Sequence, residues 1–481
     1  MIDAPFLARW RSHLARVAGS APLPAPVLAN FERLAAGAKC VVTGQQAGVL
    51  TGPLLTILKA ARAVSRAREL ERERGEPVVP VFWIAADDHD LDEIHHTFAL
   101  NGQGELQKLR LELGAARGAA GEVEVPLAAG DALVDELWRV AAIDPAALDP
   151  APFRPRGGDS LTTWFGRCLL QFFGDHGLVP FEPALFGELA RPIYERALRS
   201  PAAIEQAMKE GAAALHSRGI VAPLPPRGDV VFRITVGARE RIAAGAPTDL
   251  AEARATLPRL SADAALRPVL QTALLPCLAY VAGPTEAKYY EELRPLHALF
   301  GVPFPELVAR PQATLFSVAA SRALRKLGLT PSGLFAAIEK RGAGGGAVAS
   351  AKSPLLERGA VLRAELVRYV DALLASSPAV KSAAERRATQ LLQSFDGMVE
   401  RVGAAQAEGD KVAGVRFAAL EALARPRGKG QDRSLNVLPF FAERGAALIE
   451  QLITLRGEPD ARGVVPHGIV SESGTENATN G

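Results

Sequence analysis

The first 85 residues predict a strand, a helix and a second strand in succession. An apolar run at Lys39–Val42 leads into a glycine-rich segment, residues 43–53, after which apolar side chains recur at helical spacing. The helical positions are Leu54, Leu55, Leu58, Ala61 and Val64. Val78–Ala85 is apolar throughout, which is typical of a strand covered on both faces of a parallel sheet. The pattern therefore predicts a βαβ unit whose two strands end at the same edge of a sheet.

The same α/β character continues to about residue 310. Two helices are predicted before the first strand, separated by the proline-rich break Ala21–Pro26. Further strands are predicted at Glu122–Val125, Leu178–Phe181, Val230–Thr235 and Pro276–Val281, with helices at Leu161–Gly174, 183–218 and 285–300. We therefore expect one sheet-based core over residues 1–310.

After residue 310 the apolar positions follow a heptad-like repeat instead. One series has spacings of 7, 4, 3 and 4 residues and comprises Leu355, Leu362, Leu366, Tyr369 and Leu373. A second has spacings of 4, 3, 4 and 3 residues and comprises Leu391, Phe395, Met398, Val402 and Ala405. Such seams are typical of coiled coils, and the intervening Ser376-Ser377-Pro378 favours a break. We predict two antiparallel coiled-coil helices, whose narrow apolar stripes need a partner such as a second copy.

These patterns divide the chain into four parts. The α/β core at residues 1–310 is followed by a helical coiled-coil domain at 311–425. Residues 426–456 are expected to return to the core. The glycine-, serine- and asparagine-containing residues 457–481 lack an apolar pattern, so we expect a disordered tail.

The charge balance excludes one large class of function. The 481 residues carry 55 basic and 53 acidic side chains, a net charge of +2, so we do not expect a protein that binds nucleic acid by neutralising phosphates. No stretch approaches the roughly 18–20 consecutive apolar residues of a membrane span, so no membrane association is expected. Three widely separated cysteines and the lack of a signal-peptide pattern favour a reducing, cytoplasmic setting.

The segment Asp87–His96 is the strongest candidate for chemistry. It directly follows the predicted strand Val78–Ala85 and holds three of the eight histidines and five acidic residues. A carboxylate beside an imidazole raises the pKa of the imidazole and orients it, as general acid–base catalysis requires. The candidate catalytic residues are Asp88, His89, Asp90 and His96. The alternatives are an exposed capping loop and a metal site, although the spacing of these ligands matches no closed zinc pattern.

Glycine-rich turns supply the candidate binding residues. In the loop at 43–53, glycines let a ligand approach the backbone, and the helix that follows offers free N–H groups to a phosphate or carboxylate. The candidates there are Thr43, Gly44, Gln45, Gln46 and Gly48. A second strand–turn–helix pattern adds Tyr280, Gly283, Pro284 and Glu286, and the basic segment 425–433 could cradle a phosphate. Each of these could instead be a plain turn, and Glu286 could simply complement a helix dipole.

Taken together, these segments resemble the bacillithiol-biosynthesis cysteine-adding enzyme family (BshC). The resemblance rests on the loop Thr43–Pro53 and the segment Val81–His96, and it continues through Trp164-Phe165, Leu266-Arg-Pro, Tyr280–Glu286, Gly301-Val-Pro and Gln431–Asn436. It implies a Rossmann-like parallel-sheet core with inserted connecting segments, and an antiparallel coiled coil that forms a homodimer. It also adds Gln271, Arg310, Gln431 and Arg433 to the candidate substrate- or nucleotide-binding residues.

The activity that this resemblance implies is the joining of cysteine to the amine of glucosaminyl malate. Forming an amide from a free carboxylate needs activation, so ATP is the expected co-substrate, with its phosphates at the 43–53 loop and no tightly bound metal. His89 or His96 would contact the transferring phosphoryl group or the incoming amine. Two alternatives stay open: a metal-dependent hydrolase built on Asp88, His89, Asp90 and His96, and a non-catalytic nucleotide-binding dimer.

Overall fold

The computed structural model describes residues 3–235, 238–242, 260–342, 354–376, 381–457, 467–471 and 474–478. The chain divides into two compact units. The first comprises Met1–Val318 together with Arg425–Gly481, and the second comprises Ala319–Ala424. The strand Gln312–Leu315, which follows the predicted boundary at residue 310, lies in the first unit, so the two compact units divide after Val318. None of the described helices is long and apolar enough to cross a membrane.

Strands and helices alternate in the first unit, whereas the described part of the second unit is helical. The helices are α1 (Ala4–Ala18), α2 (Ala25–Ala35), α3 (Leu55–Arg74), α4 (Leu91–Ile94), α5 (Leu127–Val140), α6 (Leu161–Phe173), α7 (Arg191–Arg199), α8 (Pro201–His216), α9 (Leu266–Leu274), α10 (Pro284–Glu292), α11 (Arg294–Phe300), α12 (Val318–Lys326), α13 (Pro331–Gly342), α14 (Pro354–Ser376), α15 (Lys381–Ala424), α16 (Leu438–Arg444) and α17 (Ala446–Thr454). The strands are β1 (Lys39–Gln45), β2 (Val78–Ile84), β3 (His96–Leu100), β4 (Leu106–Arg110), β5 (Val179–Phe181), β6 (Val231–Thr235), β7 (Ala238–Arg241), β8 (Leu260–Ala262), β9 (Cys277–Ala282), β10 (Glu306–Ala309), β11 (Gln312–Leu315), β12 (His467–Ser471) and β13 (Gly474–Ala478).

A five-stranded parallel sheet forms the centre of the first unit, in the order β10-β9-β1-β2-β5. From β1 the chain proceeds outward through β2 to β5, and it later fills the other side with β9 and β10. The strand order therefore reverses between β1 and β9, where a ligand crevice is expected at the carboxyl ends of the strands. The predicted βαβ unit is confirmed, since β1 and β2 are parallel neighbours with Lys39 opposite Val78. All seven residues of β2 are buried, as expected for a strand covered on both faces.

Aromatic side chains form much of the core on one face of this sheet. Trp10 meets Phe181 edge-on, with 4.9 Å between ring centroids, and Phe186 lies 4.8 Å from Phe181. Trp83 from β2 joins the same cluster, 5.2 Å from Phe181. The Trp10 Nε1 donates to the Pro180 carbonyl oxygen at 2.8 Å, so burial of this indole leaves its N–H paired. The cluster packs α1 against β5, the edge strand of the sheet.

Two strand predictions require correction. Glu122–Val125 forms only a bridge between Glu124 and Ser160, because its backbone bonds to the turn that precedes α6 rather than to a strand. β6 is a strand as predicted, but it lies in a separate antiparallel sheet of order β7-β6-β8. The hairpin of β3 and β4, which the apolar pattern did not indicate, follows directly after α4.

The C-terminal residues 457–481 are not disordered throughout. β12 and β13 form a three-stranded sheet with β11, in which β12 runs parallel to β11. Ile469 and Val470 are fully buried in this sheet. Two apolar residues are too few to indicate a strand, and their partner strand β11 lies far earlier in the chain. The predicted disorder is therefore wrong for residues 467–471 and 474–478.

The second unit contains the predicted coiled-coil hairpin. The helices α14 and α15 run antiparallel, since Gly359 lies against Val399 and Arg363 pairs with Asp396. The Arg363–Asp396 pair has two hydrogen bonds, of 2.6 and 2.9 Å. The connecting residues 377–380, which contain most of the predicted break, lie outside the described residues.

Gly211 marks a close approach between α8 and the end of α10. A Cβ atom at this position would lie 1.8 Å from the Glu292 carbonyl oxygen, far inside van der Waals contact. We expect Gly211→Ala to lower the free energy of unfolding by about 3 kcal/mol, because the helices must separate to admit the methyl group. Gly157→Ala is the matched control, since nothing lies within 4 Å of the added atom there. Equal urea-unfolding midpoints for the two variants would contradict this packing.

Candidate active site

A cleft of about 370 Å³ opens where the strand order of the parallel sheet reverses. This switch-point cleft is lined by Gly44, Gln45, Gln46, Leu55, Lys59, Trp83, Ala85, Asp88, Arg267, Gln271, Tyr280, Gly283, Pro284, Thr285, Glu286, Arg310 and Arg433. Residues at or after the carboxyl ends of β1, β2, β9 and β10 all contribute. The fold thus brings together most of the binding residues that the sequence predicts, and one of the four predicted catalytic residues.

A buried lysine joins two sides of the switch-point cleft. Lys59 lies in the first turns of α3 and is 2% exposed. Its Nζ donates to the Gly44 carbonyl oxygen at 2.7 Å and to Gln45 Oε1 at 3.0 Å. The same Nζ lies 2.5 Å from Glu286 Oε2. Burial lowers the pKa of Lys59, and the Glu286 carboxylate opposes this change.

Glu286 receives hydrogen bonds from three groups. The Gly283 N–H donates to Oε2 at 2.8 Å and the Tyr280 hydroxyl donates to Oε1 at 3.2 Å, in addition to Lys59. Burial alone would raise the pKa of Glu286, but the Lys59 ammonium and the Gly283 N–H outweigh it and hold the pKa below its ordinary value. The bond to the Gly283 N–H also caps α10. The Glu286 carboxylate therefore both caps this helix and lines the cleft.

The C-terminal part of the first unit completes the cleft. Arg310 forms a buried ion pair with Asp432 at 2.7 Å, and the next residue, Arg433, lines the cleft. Gln431 does not reach the cleft. Its side-chain amide accepts from the Leu315 N–H at 2.8 Å and donates to the Leu315 carbonyl oxygen at 3.0 Å. Gln431 therefore joins the segment that contains Asp432 and Arg433 to the end of β11.

Asn436 supports the glycine loop and was not among the predicted site residues. Its Nδ2 donates to the carbonyl oxygens of Leu50 at 2.9 Å and Gly52 at 3.2 Å, and to Thr97 Oγ1 at 3.1 Å. Leu50 and Thr51 have φ angles of 51° and 71°, a region that side-chain-bearing residues rarely adopt. The bonds from Asn436 therefore stabilise a strained turn just beyond the cleft.

Within residues 87–96, all of which are described, Asp88 is the one residue that lines the cleft. Its Oδ2 accepts from Gln46 Nε2 at 2.7 Å, and its Oδ1 accepts from the Asp90 N–H at 3.1 Å. Gln46 Nε2 also donates to Glu93 at 2.7 Å. This one amide therefore joins the glycine loop to the acidic loop that follows β2.

The predicted catalytic residues His89, Asp90 and His96 lie outside the cleft lining. His89 Nδ1 lies 3.1 Å from the Asp87 carbonyl oxygen, and Asp90 is exposed. His96 begins β3, where its ring meets Phe98 edge-on with 5.3 Å between centroids. Burial is the main cause that lowers the pKa of His96, so its neutral form is favoured. The unpredicted hairpin of β3 and β4 is what places this histidine in a packed strand.

Thr43 and Gly48 support the glycine loop without lining the cleft. Thr43 is buried in β1, and its hydroxyl donates to the Val281 carbonyl oxygen at 3.0 Å. Gly48 lies against Gly52, so that a Cβ atom at Gly48 would be 3.0 Å from the Gly52 Cα. The first contact joins β1 to β9, and the second lets the turn close.

Lys59, Trp83 and Arg267 line the cleft but were not singled out from the sequence. A lysine between apolar residues of a helix that follows a glycine loop is a usable signal for Lys59. Arg267 precedes the predicted binding residue Gln271 by one helical turn, which is a second usable signal. Trp83 sits within an apolar strand, where nothing in the pattern separates a lining residue from a core residue.

Two family models match the chain. The one described as "Bacillithiol biosynthesis BshC, N-terminal Rossmann-like domain" matches residues 9–311, and the one described as "Bacillithiol biosynthesis BshC, C-terminal coiled-coil domain" matches residues 313–463. The chain belongs to the BshC family. The fold class predicted from the sequence, a Rossmann-like parallel-sheet core with an antiparallel coiled-coil domain, is confirmed by these matches and by the sheet order.

Curated relatives that carry the name "Putative cysteine ligase BshC" match most of the chain. The protein of Symbiobacterium thermophilum is 30% identical over 478 residues, which cover 89% of this chain and 83% of the relative. The proteins of Geobacillus kaustophilus and Desulforamulus reducens are 29% identical over 460 residues and 28% identical over 462 residues. In both cases the match covers 89% of this chain and 84% of the relative. The resemblance to the BshC family is therefore confirmed over most of the chain.

Glu286 should make the stability of this BshC family member sensitive to acid. Its pKa lies below the ordinary 4.5, so its stabilising contribution is present above pH 4.5 and is lost as the pH falls through the lowered pKa. We expect Glu286→Gln to lower the Tm at pH 7, with a difference from the unmutated protein that narrows below pH 4.5. Glu112→Gln, at an exposed position, is the control and should leave the Tm unchanged. A Tm difference for Glu286→Gln that is the same at all pH values would contradict this assignment.

Proposed function

We propose that this BshC family member is a ligase that joins the carboxyl group of cysteine to the amine of glucosaminyl malate, with ATP activating the carboxylate. Family membership and the names of the curated relatives support the ligase assignment. The observation that carries it is the switch-point cleft, which occupies the position where doubly wound α/β folds bind their ligands.

The electrostatics of the cleft suit anionic substrates. Its lining includes the cationic residues Lys59, Arg267, Arg310 and Arg433 and the carboxylates Asp88 and Glu286. This excess of positive charge favours ATP phosphates and the carboxylates of both other substrates. The cleft also exposes backbone of the glycine loop after β1, which leaves room for a phosphate to approach.

The proposed reaction has two steps. In the first, a carboxylate oxygen of cysteine attacks the α-phosphorus of ATP, which forms an acyl-adenylate and releases pyrophosphate. In the second, the uncharged amine of glucosaminyl malate attacks the acyl carbon, the bond between that carbon and the AMP oxygen breaks, and the amine loses a proton. Asp88 accepts this proton in the proposal, because Glu286 is already paired with Lys59 whereas Asp88 is held by the neutral Gln46 amide.

The metal-dependent hydrolase has less support than the ligase. Among the described residues, which include all of 87–96, no three His, Cys, Asp or Glu side chains come together as a metal site. Asp88, His89, Asp90 and His96 therefore do not form the cluster that this alternative needs. The non-catalytic nucleotide-binding dimer would bind ATP but form no amide, whereas the ligase would form the amide. The next experiment measures amide formation.

Asp88→Asn should lower the rate of ligation. With purified protein, ATP, cysteine and glucosaminyl malate, we expect kcat to fall by about 10²- to 10⁴-fold, since the amide cannot accept the amine proton. The Tm should change little, because Asn keeps the shape of the side chain. Asp92→Asn is the matched control from the same loop, where the side chain is 97% exposed.

Mass spectrometry of the amide product and of the released nucleotide gives both readouts. Release of AMP rather than ADP would support adenylation. An unmutated protein that binds ATP but forms no amide would contradict the ligase and favour the non-catalytic nucleotide-binding dimer. Full activity of Asp88→Asn would contradict the assignment of Asp88 as proton acceptor, but it would not contradict the ligase proposal.

We also propose that the coiled coil forms a homodimer. In a single chain, several large apolar side chains of the hairpin are exposed, among them Leu362, Tyr369, Leu373, Leu391 and Met398. Exposed apolar residues that cluster on one hairpin are typical of an interaction surface. A two-fold symmetric contact would bury the same stripe on both copies, which is the simplest way to cover it.

Charge on this stripe should break the homodimer. Leu362 and Leu391 are 40% and 52% exposed, so Leu362→Asp combined with Leu391→Asp should leave the single chain folded. We expect light scattering to show a dimer for the unmutated protein and a monomer for the double variant. Val221→Asp is the control, because Val221 is 79% exposed outside the hairpin. A monomeric unmutated protein would contradict the homodimer.

A further inference from the structure

Two residues that line the switch-point cleft each carry a buried hydrogen-bond donor without an acceptor among the described residues. These donors are the Nε2 of Gln271 and the Nε1 of Trp83, and both side chains are 2% exposed. Buried N–H groups are nearly always paired, because an unpaired one has lost its bonds to water without replacement. A ligand in the cleft would supply the acceptor that these two donors lack.

The indole of Trp83 packs closely against Gly44 of the glycine loop. A Cβ atom at Gly44 would lie 3.5 Å from Trp83 Cδ1, the ring atom bonded to Nε1, and 3.2 Å from Trp83 Cβ. Any larger residue at position 44 would therefore crowd this edge of the ring. The indole N–H groups of Trp10, Trp138 and Trp164 are paired, since they donate to the carbonyl oxygens of Pro180, Leu148 and Phe153.

Gln271 shares its helix face with a cationic side chain. Arg267 lies four residues earlier on α9, so the two side chains project from the same side of the helix, and both line the cleft. Arg267 donates to the Tyr289 hydroxyl at 3.0 Å. Within the described ranges it forms no ion pair with a carboxylate, in contrast to Lys59 and Arg310, which pair with Glu286 and Asp432.

We propose that Arg267, Gln271 and Trp83 form a subsite that binds a carboxylate group of a substrate. A carboxylate accepts several hydrogen bonds at once and has the charge to form an ion pair with Arg267, whereas a sugar hydroxyl would satisfy the donors but not the cation. This inference rests on the proposed ligase function, in which the carboxylate has two sources. One is the carboxylate of cysteine, and the other is the malyl group of glucosaminyl malate.

Calorimetric titration with L-malate and, separately, with L-cysteine tests the subsite. We expect Gln271→Met, which keeps the length of the side chain but removes the donor, to raise the Kd of one of these probes by about ten- to hundredfold. Trp83→Phe should raise the Kd of the same probe. The probe that is affected identifies the source of the carboxylate.

A matched tryptophan separates binding from packing. Trp83→Phe and Trp138→Phe remove the same volume from buried sites, but only Trp138→Phe also breaks a hydrogen bond. We therefore expect Trp138→Phe to lower the Tm more than Trp83→Phe and to leave the Kd of both probes unchanged. Gln271→Met should leave the Tm of the free protein unchanged or raise it, because it removes an unpaired donor.

Two results would overturn the subsite. One is that neither L-malate nor L-cysteine binds the unmutated protein at millimolar concentration. The other is that the Gln271→Met and Trp83→Phe variants bind both probes as the unmutated protein does. Failure of the ligase proposal would look different from failure of the subsite. In that case the unmutated protein would bind a carboxylate probe and the variants would lose this binding. No amide would form from ATP, cysteine and glucosaminyl malate.

Discussion

The ammonium group of Lys59 constrains the whole site, because a charge removed from water must be met by acceptors. Its acceptors come from separate parts of the chain: the end of β1 supplies Gly44 and Gln45, and the turn after β9 leads to Glu286. These contacts join β1, α3 and α10 around a single buried charge. The reversal of strand order creates the crevice between β1 and β9, and the lysine determines how its two sides are held.

The loop after β2 connects this crevice to the small antiparallel sheet. Asp87 accepts from the Ser261 hydroxyl on β8 and lies 3.9 Å from Arg239 on β7. The next residue, Asp88, instead accepts from Gln46 in the glycine loop. The two neighbouring carboxylates thus have different partners. Asp87 holds the sheet of β6, β7 and β8 next to the loop after β2, and this loop also supplies Asp88, the proposed proton acceptor.

Pairing divides the polar groups of the cleft into two sets. Arg310 pairs with Asp432 and Lys59 with Glu286, and both pairs hold backbone segments in place. Forming such a buried pair costs desolvation energy, so the pair adds little net stability. Its main effect is to fix the positions of the segments that it joins. The groups without partners, by contrast, are the ones whose hydrogen bonds a ligand can complete, so the arrangement of paired charges determines where unpaired donors are presented.

The sequence by itself determined the parallel sheet, the coiled-coil hairpin and the loops that border the cleft. It could do so because apolar strands, helical periodicity and glycine turns are local patterns, and because the carboxyl ends of parallel strands must share an edge. Only the tertiary structure decided that Asp88 rather than His89 lines the cleft, that Lys59 joins its two sides, and that residues 467–471 form a strand. Each of these depends on a partner distant in sequence: Gln46 for Asp88, Glu286 for Lys59, and β11 for the tail. Such long-range contacts determine how a side chain is oriented and which strand a short segment pairs with. A local sequence pattern contains no information about contacts between residues far apart in the chain.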